Sequence, residues 1–212
     1  MATTYRGFRR AAERFVLGPE GEHHRFANGK HGRQLDFGAI KEGTDLYDCW
    51  VRVQAGSIHN RQLYLPEVVL VGAAAGTNRL ARDVAALLGM NHLTTTEVSP
   101  GAVVLDDASA QRISEISFRR AIVIDDVGVT GDTALMAAES TRYSSQNPDI
   151  DIDALFSWIR NDRLHALDDA DVCYRALVHD PMPMYPAELC VEMGYCALGW
   201  EIIPLTEPVQ ST

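Results

Sequence analysis

Lysine is scarce in this chain of 212 residues, which contains only Lys30 and Lys41. Lysine and arginine together number 19 against 29 acidic residues, so the formal net charge at pH 7 is -10. A general nucleic-acid-binding surface, or an attraction to anionic membranes, is therefore not expected. Any polyanionic ligand must be bound by a few local cations and by backbone amides.

Long apolar runs are missing as well. No stretch approaches the roughly 20 apolar residues that a membrane-spanning helix needs. The first residues also lack the apolar region of a secretory signal. We therefore predict a soluble, cytoplasmic chain that has no membrane partner.

Closely paired cysteines are absent too. The four cysteines are Cys49, Cys173, Cys190 and Cys196, and none of them has the paired spacing of a zinc ribbon. Free thiols in a reducing compartment are the favoured interpretation, ahead of a metal site.

Several catalytic signatures do not occur in the sequence, namely a nucleophile elbow, a zinc-protease motif, a Walker lysine and Gly-x-Gly-x-x-Gly. A covalent protein nucleophile is therefore not predicted. Positioning and electrostatic stabilisation remain as the sources of any rate enhancement.

The apolar content of 46% is ordinary for a soluble core, and the length suits a single domain. We divide the chain into an N-terminal cover and hood (1–62), an α/β core (63–180) and a C-terminal cover (181–212). Helices are predicted over 3–17 and Asp45–Val53, with a helix-like stretch at Cys190–Cys196. A polar loop is predicted over Gly21–Gly32. Strands are predicted at Arg33–Phe37, Pro66–Val71, Thr94–Val98, Ala102–Leu105, Ala121–Ile124, Ile152–Ile159 and Val172–Val178.

The most informative segment runs from Arg119 to Thr133. An apolar run typical of a strand buried in a parallel sheet ends in two carboxylates, and helix formers begin at Ala134. Small and hydroxyl-bearing residues between them favour a phosphate at a helix N-terminus, with the carboxylates beside it for sugar hydroxyls or Mg2+. A solvated turn that merely caps a helix would need only one Asp. The candidate site comprises Asp125, Asp126, Val127, Gly128, Val129, Thr130, Gly131, Asp132 and Thr133.

A second strand, small-residue loop and helix follow the same order over 66–81. Small side chains let backbone amides approach a ligand, and the helix adds its positive end, which suits a pyrophosphate. Taken alone, this pattern is also that of an ordinary strand-to-helix turn. The candidate residues are Ala74, Ala75, Gly76, Thr77 and Arg79; an exposed arginine of the first helical turn is the equal alternative for Arg79.

The 119–133 segment resembles the signature loop of the type I phosphoribosyltransferases: four apolar residues, two acidic residues, then a short loop ending in Thr-Gly-x-Thr. The resemblance implies an α/β fold with a mainly parallel sheet flanked by helices and a small hood from the N- and C-terminal segments. It implies that Asp125 and Asp126 face the ribose hydroxyls of phosphoribosyl pyrophosphate (PRPP) and hold Mg2+, directly or through water. Thr130, Gly131 and Thr133 would wrap the 5'-phosphate.

Two further segments resemble the orotate-using members of that family. Residues 26–36 are similar to their Phe-x-x-Ser-Gly-Lys-x-Ser segment, which implies that Lys30 lies near the pyrophosphate or the base. Arg160 follows a predicted strand, where those enzymes pair an arginine with the carboxylate of the base. A solvated Lys30, and an Arg160 paired with Asp162 or Asp151, are the alternatives.

The sequence also departs from the orotate enzymes. Val129 stands where they usually have a Thr that touches the base, and Asp132 stands where Gly is frequent. Their mobile loop, rich in Arg and Lys, corresponds to Asn91–Ser117, which contains no lysine and only His92 and Arg112 as basic residues. The cations that meet the leaving pyrophosphate must therefore come from elsewhere or be absent.

These features predict a transferase that moves ribose 5-phosphate from PRPP to a heterocyclic base, with orotate or a related pyrimidine favoured, Mg2+ as cofactor and a homodimer as the assembly. Proton transfer is left open between His31 and Asp126. A PRPP-binding regulator or inactive homologue is the main alternative, which the lysine-poor segment favours. A different nucleotide-binding enzyme, such as a hydrolase or dehydrogenase, is a third.

Overall fold

The computed structural model describes residues 7–10, 13, 20–26, 29–40, 42–59, 67–99 and 101–204. Residues 7–10 and 13 are helical, which agrees with the helix predicted over 3–17, whose remaining residues lie outside the described ones. Within the described ranges, no helix has both the length and the apolar character needed to cross a membrane.

Strands and helices alternate along the core. The strands are β1 Glu22–Arg25, β2 His31–Gly32, β3 Val68–Gly72, β4 Asn91–Leu93, β5 Thr95–Ser99, β6 Ala102–Leu105, β7 Arg120–Gly128, β8 Asp151–Ile159, β9 Cys173–His179 and β10 Glu201–Pro204. The helices are α1 Asp45–His59, α2 Ala75–Leu88, α3 Asp107–Arg112, α4 Asp132–Ser145, α5 His165–Asp169 and α6 Ala187–Met193. Short 3-10 turns cover Phe37–Ala39 and Ile113–Glu115.

Five parallel strands form the central sheet in the order β4-β3-β7-β8-β9. Alternate residues of β3 and β7 enter two separate cores, so the sheet is covered on both faces. On one face, Leu70 and Ile122 pack with residues of α1 and α2. On the other, Val71 and Val123 pack with residues of α4. The predicted α/β fold with a mainly parallel sheet is confirmed.

A small sheet, which we call the hood sheet, joins the two ends of the chain in the order β10-β1-β2. Strand β1 is parallel to β10, with Glu22 opposite Glu201, and antiparallel to β2. Prediction of Gly21–Gly32 as a loop was therefore wrong. The prediction of a strand at Arg33–Phe37 was also wrong, because that stretch leads into a 3-10 turn. The sequence Glu-His-His-Arg has no apolar alternation, and β1 forms by pairing with a segment almost 180 residues away.

Several element ends also differ from the prediction. Strand β7 continues through the acidic pair to Gly128, because residues 125, 127 and 128 still pair with β8. Helix α1 begins at Asp45 as predicted but extends to His59. In the C-terminal cover, the helix is Ala187–Met193, so Cys190 is helical whereas Cys196 lies in the turn that follows.

The Asn91–Ser117 segment contains the hairpin predicted from its sequence. Strands β5 and β6 pair in antiparallel fashion, and Gly101 in the turn has φ +78° and donates its N-H to the Glu97 carboxylate at 2.7 Å. The Leu105 amide donates to the Ser140 hydroxyl at 2.9 Å, which holds β6 beside α4.

Candidate active site

The carboxyl ends of β3, β7 and β8 meet at one edge of the sheet. The Ala73 amide, just past β3, donates to the Ile124 carbonyl of β7 at 2.9 Å. The Arg160 amide, just past β8, donates to the Gly128 carbonyl of β7 at 3.1 Å. These two bonds bring the loops after three neighbouring strands together, at the edge where open α/β sheets bind ligands.

Asp125 and Asp126 lie in the centre of this edge. The Asp125 side chain is buried, with 7% exposure, and its carboxylate accepts the Asp126 amide at 2.9 Å. The Asp126 carboxylate accepts the Val127 amide at 2.7 Å. No arginine, lysine or histidine among the described residues forms an ion pair with either carboxylate.

This placement disfavours ionisation of the acidic pair. Burial raises the pKa of Asp125, and the neighbouring charge of Asp126 raises it further. Burial also raises the pKa of Asp126, with a smaller contribution from the negative charge of Asp36. A buried carboxylate and its half-buried neighbour, with no described cation paired to them, are stabilised by bound hydroxyl donors or by a bound cation.

Residues that follow β8 pack against the loop after β7 and fix its conformation. Gly131 adopts φ +93°, and a Cβ there would approach Leu167 Cγ to 2.9 Å, so only glycine fits. A Cβ at Gly128 would come within 3.0 Å of Leu164. The Ala166 amide donates to the Thr130 carbonyl at 3.2 Å. The loop is therefore preformed in this fold.

Helix α4 begins directly after this loop. Gly131 is its N-cap and offers no side-chain cap, so the first-turn N-H groups are left to another acceptor. Such a helix start suits a phosphate. The Thr130 hydroxyl donates to the Asp132 carboxylate, so a negative side chain takes one of the predicted phosphate donors.

The loop after β3 has a different construction. Ala74 is the N-cap of α2, its amide donates to the Thr77 hydroxyl at 3.1 Å, and that hydroxyl returns a bond to the Ala74 carbonyl at 3.1 Å. Thr77 is buried and shapes the loop, so its side chain does not face a ligand. Ala75 and Gly76 are exposed at the helix start, where their amides are available to an anion.

Gly72 and Asn78 lock this loop to the hairpin, a relationship that sequence reasoning missed. A Cβ at Gly72 would lie 2.4 Å from Asn78 Oδ1, so Asn78 can pack on the strand end only because residue 72 is glycine. The Asn78 amide donates to the Thr95 carbonyl at 2.7 Å and its oxygen accepts the Thr95 amide at 3.0 Å. The sequence signal for this contact was a glycine at the end of the strand, followed by an asparagine near the start of the next helix.

Arg79 has partners away from the loop. Its guanidinium forms an ion pair with Glu42, lies 4.0 Å from the Asp83 carboxylate and stacks over the Tyr47 ring at 5.1 Å. These contacts hold α2 against α1 and the segment before it. In this arrangement the contacts of Arg79 are with Glu42, Tyr47 and Asp83, and its role at the pyrophosphate stays a prediction.

Lys30 and Arg160, chosen from separate segments of the sequence, line one cleft. Its volume is about 290 Å³. Asn161, Asp162 and residues 181–184 complete its wall. The hood segment and the carboxyl end of β8 therefore form one cleft. This cleft lies beside β7, the strand that carries Asp125 and Asp126.

Arg160 is almost fully buried, with 4% exposure. Its Nη2 donates to the Arg33 carbonyl at 3.1 Å, and its guanidinium lies over the Phe26 ring at 5.5 Å. Among the described residues, its Nε has no hydrogen-bond partner. Burial lowers the pKa of Arg160. A buried cation with unused donors is a site for an anion.

Alternative partners that the sequence left open for Arg160 are not used. Among the residues that the structure describes, neither Asp162 nor Asp151 forms an ion pair with it, and Asp151 pairs instead with Arg120 at 3.0 Å. Asn161, which the sequence reasoning did not single out, donates to the Val129 carbonyl. Asn161 therefore joins the cleft wall to the loop after β7.

No protein-family model matches the sequence, and no curated protein matches it either. The structure is similar to that of an orotate phosphoribosyltransferase from Aeropyrum pernix, with a TM-score of 0.63 at 16% identity over 92% of this chain and 98% of that one. It is similar to an adenine phosphoribosyltransferase (APRTase) from Giardia lamblia complexed with 9-deazaadenine, with a TM-score of 0.60 at 14% identity over 84% of this chain and 98% of that one.

A third similar structure is the UMP synthase of Leishmania donovani, with a TM-score of 0.59 at 13% identity over 84% of this chain and 36% of that one. Identities this low establish architecture and not substrate. Together with the order of the sheet and the loops at its carboxyl edge, these similarities show that the chain has the type I phosphoribosyltransferase fold.

Proposed function

We propose that this protein transfers ribose 5-phosphate from PRPP to a ring nitrogen of a heterocyclic base and releases pyrophosphate, with orotate or a related pyrimidine as the favoured base. One observation carries the proposal: the buried Asp125 and the half-buried Asp126, which form no ion pair with a described cation, stand one short loop before a helix N-terminus that has no side-chain cap. A phosphorylated sugar offers hydroxyl donors to the first feature and an anion to the second.

The 5'-phosphate would bind between Val129 and Thr133, where α4 presents its first N-H groups and Thr133 adds a hydroxyl. Bracing by Leu164 and Leu167 supports this role, because a loop that is already ordered loses little entropy when the ligand binds. The carboxylates of Asp125 and Asp126 would accept hydrogen bonds from the ribose hydroxyls.

The same carboxylates fit Mg2+. Oxygen donors are the ligands this cation prefers, and each carboxylate uses one oxygen on a backbone amide, which leaves the other oxygen available. When bound, Mg2+ would neutralise charge on the pyrophosphate and so make it a better leaving group.

Pyrophosphate would lie against the loop after β3. Backbone amides at Ala75 and Gly76 are available there, and the Ala74 position is fixed by the bond to Thr77. Lys30, on the wall of the adjacent cleft, is our candidate for the cation on the leaving-group side.

The choice of base follows from Arg160. A planar guanidinium presents two parallel donors that match a carboxylate, which favours orotate over a neutral ring. Solved proteins of this fold include ones named for orotate and for adenine, so the fold itself does not select the base. Val129, whose carbonyl is fixed by Asn161, would contact the ring from the phosphate side.

In the reaction, the bond from C1 of the ribose to the pyrophosphate oxygen breaks and a bond from C1 to the base nitrogen forms. Positive charge develops on the sugar ring next to Asp125 and Asp126, which would stabilise it. A proton leaves the base nitrogen. Asp126 is our candidate acceptor, because His31 lies buried beside His23 and two cysteine sulfurs in the hood.

A PRPP-binding regulator is the second candidate. The lysine-free hairpin of β5 and β6 favours it, because an enzyme of this kind needs cations around the departing pyrophosphate. A homodimer and a cytoplasmic location remain predictions for either candidate, and the net charge of -10 argues against a nucleic-acid partner for both.

Pyrophosphate release measured with Mg2+, PRPP and a panel of orotate, uracil, nicotinate and adenine tests the proposal. We expect release with orotate or another carboxylated ring. If no base in the panel causes pyrophosphate release but calorimetry shows that PRPP binds, the result would support the regulator. Absence of PRPP binding, with and without Mg2+, would refute both.

A further inference from the structure

Two histidines and two cysteines converge in the hood, outside the loops that form the candidate active site. His23 is in β1, His31 is in β2, Cys190 is in α6 and Cys196 is in the turn after α6. Their donor atoms all lie within 4.8 Å of one another. The sequence spacing did not reveal this group, because the four residues come from both ends of the chain.

Four of the six distances between the donors match those of a tetrahedral site, and the other two are no longer than 4.8 Å. His23 Nε2 lies 3.4 Å from His31 Nδ1, 3.3 Å from Cys196 Sγ and 3.8 Å from Cys190 Sγ. Cys196 Sγ lies 3.4 Å from His31 Nδ1. Zinc bonds of about 2.0–2.3 Å arranged as a tetrahedron separate their donors by roughly 3.3–3.8 Å.

We propose that His23, His31, Cys190 and Cys196 bind one zinc ion in a structural site. Two imidazole nitrogens and two sulfurs form a Cys2His2 set, which selects zinc among the common divalent cations. Four protein donors fill the tetrahedron and leave no open position for water or substrate. The site is therefore structural and takes no part in catalysis.

The surroundings of the four donors support a bound ion. His23, His31 and Cys190 are buried, and the Cys196 amide donates to Cys190 Sγ at 3.3 Å, a bond that stabilises a thiolate. The Tyr195 ring covers His23 at a centroid distance of 5.6 Å and contacts Trp200 at 5.0 Å. This aromatic cover shields the His23 side of the group from water.

The ion would bind four segments of the hood to one another. Strands β1 and β2 would be joined to α6 and to the turn that leads into β10. His31 also exchanges backbone hydrogen bonds with Tyr185, at 2.7 and 2.8 Å, and precedes Gly32, whose Cβ position lies 3.3 Å from Arg160 Nη2. The zinc site would thus fix one wall of the Arg160 cleft. That this cleft receives a base rests on the proposed function, whereas the zinc site itself does not.

Metal content of the purified full chain tests the proposal directly. After purification without chelator, we expect about one zinc per chain by elemental analysis. Cys190→Ser and Cys196→Ser should each lower the zinc content at least tenfold. The matched controls are Cys49→Ser and Cys173→Ser, whose thiols lie outside the group, and both should retain the metal.

A second measurement uses the unmodified protein, in case the serine variants do not fold. With zinc bound, iodoacetamide should label the exposed Cys173 while Cys190 and Cys196 stay protected, and prior treatment with a chelator should expose both. Replacement of zinc by Co2+ should give the intense visible absorption of a tetrahedral thiolate complex. Less than about a tenth of an ion per chain after incubation with zinc, or a Cys190–Cys196 disulfide in reducing buffer, would overturn the proposal.

Discussion

Arg160 Nη2 donates a hydrogen bond to the backbone carbonyl of Arg33 at 3.1 Å, across 127 positions of sequence. One guanidinium therefore connects the carboxyl edge of the central sheet to the hood. The bond uses a single donor, and Nε has no partner in the part of the chain that the structure describes. Arg160 is thus held in position by the protein while part of its donor capacity is left for a ligand, and this is the basis of the first prediction.

Replacement of Arg160 by methionine should separate binding from stability. We expect the KM for a carboxylated base to rise roughly 100-fold, the equivalent of about 3 kcal/mol for a lost charge-assisted pair, while the KM for PRPP changes little. The free energy of unfolding should fall by no more than about 1 kcal/mol, because removal of a buried, unpaired cation offsets the lost bond to Arg33. Steady-state kinetics and urea unfolding measure the two effects.

Arg163 provides the control for that variant. It follows Arg160 closely in sequence, but it is exposed and pairs with Asp168 at 3.1 Å. Arg163→Met should leave both KM values within about twofold of the original. If the two substitutions change the KM values equally, Arg160 is not part of the base site.

Asp126→Asn should weaken PRPP binding or turnover at least tenfold and leave the fold intact. The substitution keeps the shape of the side chain but removes the charge that would stabilise the cationic sugar ring. Calorimetry with PRPP and Mg2+, together with circular dichroism, provides the readout. Glu139→Gln, which removes one charge from the exposed face of α4, is the matched control. Unchanged PRPP affinity and turnover in Asp126→Asn would exclude the acidic pair from the mechanism.

Stability of the ligand-free protein should depend on pH through Asp125. Because burial and Asp126 raise its pKa in the folded state above the ordinary value of 3.8, the folded protein holds a proton that the unfolded chain has lost. The resulting contribution to stability is complete below pH 3.8 and is lost as the pH rises through the folded-state pKa. The side chain of Asp125→Asn does not ionise, so this variant should not lose stability in that way as the pH rises. Its free energy of unfolding should exceed that of the original protein by more than about 1 kcal/mol at pH 8.

Urea unfolding at intervals from pH 4.5 to pH 8, without Mg2+, measures that difference. The advantage of Asp125→Asn should grow steadily with pH. A constant difference between the two proteins would mean that the Asp125 carboxyl ionises normally in the folded state.

Asp132→Asn should tighten PRPP binding several-fold. The Asp132 carboxylate accepts the Thr130 hydroxyl and places a negative charge at the start of α4, where the phosphate would bind. Removal of the charge relieves the repulsion and frees the hydroxyl. The effect should shrink as salt is added, because Asp132 is exposed. Weaker binding by Asp132→Asn would instead make this carboxylate part of the ligand site.

Gly131→Ala should destabilise the protein by about 2–3 kcal/mol, since the new Cβ meets Leu167 and the backbone has a positive φ. Gly89→Ala is the matched control, because Gly89 also has a positive φ, of +68°, but no atom within 4 Å of the Cβ position. It should lower the free energy of unfolding by only about 1 kcal/mol. Thermal unfolding ranks the two variants, and equal losses would show that the contact with Leu167 does not constrain the loop.

The core of the fold was predictable because its signals are local. An apolar run such as Ala121–Ile124, followed by polar and small residues, identifies a buried parallel strand and the loop after it. The hairpin after Asn91 was also predictable, because Pro100 and Gly101 stand between two alternating segments. Each of these patterns is complete within about 15 residues.

The hood could not be predicted in the same way. Strand β1 consists of Glu22–Arg25 and has no apolar face, so its conformation depends on β10. The convergence of His23 with Cys196 depends on the same long-range pairing. Arg79 shows a further limit: its position near the start of α2 suggested a ligand, the sequence could not reveal its contacts with Glu42 and Tyr47, and its role at the pyrophosphate stays a prediction.

Pairing between β1 and β10 also sets the order in which this molecule can be completed during synthesis. The five parallel strands need only residues 68–179, so their sheet can assemble while the ribosome is still adding the segment that follows. Residues 22–25 can pair with the nearby β2, but they must wait for 201–204 before the hood sheet is complete, and closing so long a loop is slow. A nascent chain would therefore carry a finished phosphate loop before the wall opposite Arg160 exists.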